Sequence, residues 1–233
     1  METHGDQACR LQYGLAQWMA PAIMAIAREI LVQVSSAICP WLAVVWVLQR
    51  AATLLRPQLL EWTRLALAGV IAAVVLLVHV HGLAISRWLV GLNANFSIPL
   101  TGMLAVAVYE RAFKRQVFSE RDWSAGWSFG AAGSLMLYPL ALGVGRFDPY
   151  EWGWRFSPLF VIIAVLSSWL IWKNNRFGLL LLVAVIAFHL HLLESSNYWD
   201  YLLDPIFGFA SMAALARRGF SAFSRPRPQP EPL

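Results

Sequence analysis

The stretch SPLFVIIAVLSSWLIWKNNRFGLLLLVAVIAFHLHLL (residues 157–193) contains two long apolar runs joined by four polar residues. Each run comes close to the roughly 20 residues that a helix needs to cross about 30 Å of hydrocarbon. The stretch therefore predicts two transmembrane helices, over residues 157–172 and 177–193, with a short basic loop between them.

The composition of the whole chain has the same character. Of its 233 residues, 59% are hydrophobic and 13% are charged, whereas soluble domains carry about 45–50% apolar and about 25% charged residues. With 18 basic and 13 acidic residues, a water-soluble enzyme of this size could not cover its surface. Only helices and closed barrels satisfy their backbone in lipid, and long apolar runs favour helices. The predicted fold is therefore all-α, a polytopic transmembrane bundle.

Five further apolar runs bring the prediction to about seven spans. They cover residues 30–48, 65–86, 89–109, 127–145 and 199–216. Residues 30–216 then form the transmembrane domain. Residues 1–29 form an N-terminal polar segment with a short interfacial helix, and residues 217–233 form a basic, proline-rich tail that we expect to be disordered.

The start of the first span is the least regular part of this pattern. Residues 13–48 are almost continuously apolar, but Arg28 and Glu29 interrupt them. Because a charge near mid-membrane costs about 2.5–3.5 kcal/mol, we expect an interfacial helix over residues 13–27 and a separate span over 30–48. The alternative is one span over residues 13–33 followed by a tight return.

Basic residues are distributed unevenly between the loops. Residues 50–64, 110–126, 173–176 and the tail after 216 together hold 13 Lys and Arg, whereas the opposite loops hold 3. Cytoplasmic loops carry such an excess, so we expect the C-terminus in the cytoplasm. The bias of 16 Arg over 2 Lys points to a bacterial genome, and the predicted location is the plasma (bacterial inner) membrane.

Two histidine pairs lie near the expected outer ends of the second and sixth spans. They are His79 and His81 in VHVHG, and His189 and His191 in FHLHL. At 1.5 Å per residue, the pairs lie about 21 and 18 Å from the inner ends of their helices, which places all four in one layer. Residues i and i+2 lie on different faces of a helix, so at most one histidine of each pair can face a common site.

Three carboxylates, Glu194, Asp200 and Asp204, follow the second pair. Because ionisable residues in a membrane often mark function, the four histidines and three acids are candidates for handling a ligand or a proton. The alternative is that they cap helices and form hydrogen bonds between spans. No catalytic or metal site and no cofactor is predicted, although one histidine from each pair could ligate haem or a metal.

Small residues recur at four-residue spacing in the fourth span, at Gly126, Gly130 and Ser134. Small residues at this spacing let two helices approach closely. We therefore expect them to form a helix-packing face.

Several classes of function lack their motifs. The sequence has no Walker loop, GxGxxG, HExxH or CxxC, which excludes ATP-driven transport by this chain alone. The leading hypothesis is a non-catalytic subunit or accessory protein of a cell-envelope assembly, partnered by the bilayer and other membrane subunits and not by nucleic acid. The alternatives are a transporter of a small solute, lipid or proton, and a membrane enzyme or haem or metal protein.

Overall fold

The computed structural model describes the backbone of residues 4–55 and 60–223, and the side chains of residues 23–55, 60–91 and 93–221. The prediction of an all-α fold is confirmed, since helices account for 77% of the structure. The helices in the described part are α1 (His4–Leu55), α2 (Glu61–Leu77), α3 (Ile85–Leu92), α4 (Ile98–Phe113), α5 (Glu120–Ala141), α6 (Pro158–Trp172), α7 (Phe177–His189), α8 (Tyr198–Leu202) and α9 (Pro205–Phe223). A 3₁₀ helix covers Pro149–Gly153, and an antiparallel hairpin pairs β1 (His79–Val80) with β2 (Leu83–Ala84).

One helix of the described part is long and apolar enough to cross a membrane, over Ile23–Leu55. The helices α6 and α7 are also apolar, but their 15 and 13 residues span only about 22 and 20 Å. The structure therefore supports the helical character of the predicted bundle, but one helix of the described part qualifies as a membrane span, so a bundle of about seven spans is not confirmed. Signal sequences and buried helices of soluble proteins have similar length and composition, so this helix alone indicates membrane association only weakly.

The expected break in the first apolar run is wrong, because α1 continues through Arg28 and Glu29. The alternative of a return after residue 33 is wrong for the same reason. Both charged side chains line a groove on one face of α1, and the opposite face carries Ile23 and Ile30. Because both charged side chains lie on the face that lines this groove, they do not require α1 to end. The place of residues 13–27 relative to a membrane remains a prediction.

Three other predicted spans are interrupted. The second ends at Leu77 and continues as the hairpin, the third is divided between α3 and α4, and the seventh is divided between α8 and α9. Proline explains one interruption, because Pro205 occupies the first position of α9. Leu203, two residues earlier, ends α8 in an extended conformation (φ −138°). In the hairpin, His81 (φ 51°) and Gly82 (φ 83°) form a two-residue turn that a helix cannot contain.

The helices pack around two groups of buried apolar side chains. The larger lies among α4 to α9 and includes Met103, Phe177 and Phe207. The smaller joins α1, α2 and α4 through residues such as Val45 and Ala72. Together they hold all the long helices in one bundle.

The basic segments meet at one end of this bundle, here called the basic end. Their contacts are Lys114 Nζ to Glu61 at 3.0 Å, Arg111 to Thr53 at 3.2 Å, the Arg176 amide to Asp122 at 2.7 Å, and Arg218 to Glu120 at 3.1 Å. The hairpin and residues 93–97, 142–157 and 190–204 form the opposite, polar end. The uncharged body thus separates two chemically different ends.

Candidate functional site

Asp204 lies at the centre of the polar end. It is 2% exposed, and it follows the short, aromatic-rich helix α8. Its carboxylate accepts hydrogen bonds from the Ser97 amide (2.9 Å), the Phe207 amide (2.9 Å) and Asn93 Nδ2 (3.3 Å). It therefore caps α9 and ties it to the loop before α4. All three donors are protein groups, so Asp204 acts here as a structural hydrogen-bond acceptor.

Asp200 is half-buried and pairs with the 3₁₀ helix. The hydroxyl of Tyr150 lies 3.0 Å from both carboxylate oxygens. Burial, followed by the negative charge of Asp200, raises the pKa of Tyr150. The phenol therefore stays protonated and donates to Asp200.

Asn197 also joins the 3₁₀ helix to α8. Its Nδ2 donates to the Tyr150 carbonyl (3.0 Å), and its Oδ1 accepts from the Trp199 amide (2.9 Å) as the N-cap of α8. The approach is so close that a Cβ at Gly153 would lie 1.6 Å from Asn197 Oδ1. Only glycine fits there, and the 3₁₀ helix is fixed against α8.

Tyr201 holds the loop that carries Glu194. This fully buried side chain accepts from the Leu193 amide at 3.1 Å, and its hydroxyl lies 3.2 Å from the Ser195 carbonyl. Sequence reasoning missed Tyr150, Asn197 and Tyr201. For Asn197 a signal was available, because an asparagine directly before YWDYL is typical of a helix N-cap.

The four histidines are all exposed. His79 and His81 belong to the hairpin, His189 is the last residue of α7, and His191 follows that helix. The helical geometry expected for the pairs is therefore wrong. In the described part of the chain, no hydrogen bond, ion pair or ring contact joins one pair to the other.

Metal ligation gains no support from these positions. Among the described residues, no three His, Cys, Asp or Glu lie close enough together to hold a metal ion. His189 instead lines an apolar groove of about 610 Å³ between α6 and α7, together with Arg155 and Phe188. Its Nδ1 lies 2.8 Å from the Val185 carbonyl of its own helix.

Glu194 lines a different space, here called the charged groove. This open groove of about 430 Å³ lies between α1, α3 and the loop after α7. Its charged side chains are Arg28, Glu29, Arg87 and Glu194, and its other lining residues are Ala25, Val32, Gln33 and Leu193. Within the described residues, no ion pair joins these four charges. Of the seven candidates, His189 and Glu194 each line one of these two grooves.

The small residues of α5 lie against α9 and the central core. Gly126, Gly130 and Ser134 are buried, and a Cβ at Gly130 would lie 2.2 Å from Ser211 Oγ. On the facing helix, a Cβ at Gly208 would lie 2.5 Å from Ser134 Oγ. The two helices thus approach to a distance that larger side chains would prevent.

Comparison with known proteins adds no relative to this picture. No family model matches the sequence, and no curated protein or solved structure matches it significantly. The geometry of the two ends and of the charged groove therefore has to carry any assignment of function.

Proposed function

We propose that the chain is a multi-pass integral membrane protein that serves as a non-catalytic subunit of a cell-envelope assembly. The membrane part of this proposal is supported by apolar side chains on the outside of the bundle. They form stripes on α2 (Val70, Ile71, Val74), α6 (Val161, Ile162, Val165) and α7 (Leu179, Leu182, Val183, Ile186), each 44–64% exposed. Soluble monomers rarely expose contiguous apolar surface on this scale, whereas lipid would cover it.

Seven passages between the two ends are consistent with this proposal. The helices α1, α2, α4, α5, α6, α7 and α9 each run from one end to the other, while α3 and α8 lie at the polar end. Irregular backbone near a membrane is tolerated where protein satisfies it, and Asp204 does so for the breaks before α4 and α9. The excess of Lys and Arg would place the basic end in the cytoplasm.

The role as a subunit rests on one observation, the exposed N-terminal half of α1. In the described part, Val32 is the first buried side chain of α1, and residues 23–31 are all exposed. Ile23, Ile26 and Ile30 share one face of this half and are 57–58% exposed. The helix continues back to His4, so residues 4–31 extend about 42 Å. We propose that an apolar helix of a partner membrane protein covers this face.

Photo-cross-linking in intact cells tests this role. A photoreactive residue at Ile23 or Ile30 should form an adduct with a membrane protein other than this chain, identified by mass spectrometry. The matched control is Ile162 on α6, which is 53% exposed and should meet lipid only. An Ile26→Asn change on the same face of α1 should weaken the adduct.

Three outcomes would contradict the proposal. Adducts with a second copy alone would indicate self-association, and adducts no stronger than those from Ile162 would leave α1 without a partner. Release of the chain from membranes by alkaline carbonate would overturn the membrane location itself.

A second function, binding or transport of a small polar ligand, is favoured by the charged groove. Its two guanidinium groups and two carboxylates face an open space without pairing with one another. If the groove alone binds, replacing Arg28 and Glu194 should weaken binding, and replacing all four histidines with alanine should not. If both sets of substitutions weakened binding equally, the histidines would also belong to the binding site.

A further inference from the structure

We propose that the charged groove binds the head group of phosphatidylethanolamine, a zwitterionic phospholipid with a primary ammonium. This inference rests on the membrane location proposed above. The groove lies at the polar end, where the exposed Trp88 of α3 donates to the Val80 carbonyl at 3.1 Å. Tryptophan prefers the level of lipid head groups, so the groove faces the layer in which such a group resides.

The charges of the groove match a zwitterion. Arg28 and Arg87 supply two guanidinium groups, which bind phosphate well. Glu29 and Glu194 supply two carboxylates, which balance that charge and would repel a ligand that is only anionic. A head group that carries both a phosphate and a cation can pair with all four side chains.

The lining distinguishes ammonium from choline. A primary ammonium has three N–H donors, which carboxylates accept, and Gln33 adds a side-chain amide that already donates to Glu29 at 3.4 Å. A quaternary ammonium has no donor and is typically held by aromatic rings. The groove lining contains no aromatic side chain, so it favours ethanolamine over choline.

The rest of the groove suits the neighbouring part of a lipid. Ala25, Val32 and Leu193 form its apolar wall, against which glycerol and the first methylene groups can lie. The volume of about 430 Å³ falls in the range of ordinary ligand sites.

Native mass spectrometry of the full-length protein in detergent tests the proposal. Equal amounts of phosphatidylethanolamine, phosphatidylcholine and phosphatidylglycerol with identical acyl chains are added. We expect the ethanolamine lipid to bind about fivefold more than the others, the factor expected from one partly exposed charge pair. Arg28→Gln and Arg87→Gln should each reduce its binding by a similar factor. Glu194→Gln should remove the preference over phosphatidylcholine.

Matched controls are Arg146→Gln and Glu151→Gln, because these exposed charges belong to the polar end but not to the groove. They should leave lipid binding unchanged. Glycerophosphoethanolamine should compete more weakly than the intact lipid, and inorganic phosphate should not compete. Equal affinity for the soluble compound would identify a soluble ligand and overturn the assignment to a lipid, as would competition by phosphate.

The outcomes separate this inference from the membrane location. A protein that resists carbonate extraction but binds the three lipids equally would overturn the assignment of the groove alone. A Glu194→Gln variant with normal thermal stability and unchanged lipid preference would do the same. Release by carbonate would overturn both.

Discussion

His191 shows how a conspicuous residue can have a conformational role. It follows α7 with a left-handed backbone (φ 51°), where its amide donates to the Phe188 carbonyl and the Leu192 amide donates to the Ala187 carbonyl. This is the Schellman arrangement, in which glycine is usual. A left-handed L-residue costs about 1–2 kcal/mol, so His191→Gly should stabilise the protein by about 0.5–1 kcal/mol.

Thermal unfolding in detergent measures this change. His191→Val should lower the melting temperature, because a β-branched residue is disfavoured at positive φ. His189→Gly, at the last helical position of α7, serves as the control and should also lower it. A destabilised His191→Gly variant would show that the imidazole itself makes a stabilising contact, such as the one with Phe188 at 6.3 Å between ring centroids.

Asp204 should matter far more to stability than its exposed neighbours. Asp204→Ala leaves the Ser97 amide, the Phe207 amide and the Asn93 side chain without their acceptor. Leaving buried donors unpaired should destabilise the protein by about 2–4 kcal/mol. Glu151→Ala, at an exposed residue of the same end, should change stability by less than about 0.5 kcal/mol. Equal melting temperatures for the two variants would contradict a structural role for Asp204.

At this scale the sequence identified polar residues but not their partners. Asp204 could be chosen because an acid in an apolar region is unusual, yet its bonds to Asn93 and Ser97 join positions more than a hundred residues apart. The histidine pairs were assigned to helices because apolar periodicity surrounds them. The turn at His81 and Gly82 depends on backbone angles that histidine seldom adopts, so the pattern gave no warning of it.

Close packing of α5 on α9 should make Gly130 intolerant of a side chain. Gly130→Ala places a Cβ 2.2 Å from Ser211 Oγ and 2.9 Å from the Phe207 ring. Overpacking of this kind costs about 1–3 kcal/mol. Gly91→Ala is the matched control, because a Cβ there meets nothing within 4 Å and alanine favours a helix.

A double variant tests whether Ser211 causes the effect. Ser211→Ala removes the Oγ, so Gly130→Ala combined with Ser211→Ala should recover part of the lost stability, with Phe207 preventing full recovery. Additive losses measured by thermal unfolding would show that the two positions do not touch.

Sequence predicted single elements best where both ends carry a signal. The span at 157–172 differs from α6 by one residue, because Ser157 and Pro158 mark its start and Lys173 with Asn174 marks its end. The spans at 89–109 and 199–216 failed, since an apolar run gives no sign of a break that distant residues such as Asp204 stabilise. The continuity of α1 was missed because hydropathy does not reveal on which face Arg28 and Glu29 lie.

Protonation of Glu61 in acid should destabilise the basic end, because it removes the charge that pairs with Lys114 and Arg64. Its carboxylate lies 3.0 Å from Lys114 Nζ and 3.3 Å from Arg64, and the hydrogen bond from Lys114 followed by the nearby positive charges lowers its pKa. A lowered pKa means that the contribution of Glu61 to stability is present above its ordinary pKa of 4.5 and is lost as the pH falls through the folded value.

Melting temperatures at pH 7 and below pH 4 test whether the stabilising contribution of Glu61 is lost as the pH falls. Wild-type protein should lose more stability between these conditions than Glu61→Gln, which cannot titrate at this position. An exposed acid of the polar end, changed as Glu151→Gln, should behave like the wild type. The same loss in Glu61→Gln as in the wild type would show that other carboxylates cause the acid sensitivity.

The arrangement of the whole molecule can be tested by topology reporters. Contacts such as Arg176 with Asp122 and Arg218 with Glu120 fix the basic segments at one end, so a membrane crossing the body must leave them on one side. Fluorescent-protein fusions after Asn175 and after Phe223 should therefore both report the cytoplasm. Alkaline phosphatase fused after Asp148 or Glu194 should be active, because these residues belong to the opposite end. Fusions after Asn175 and Phe223 on different sides would be incompatible with this packing, since they would separate segments that the structure joins through α5.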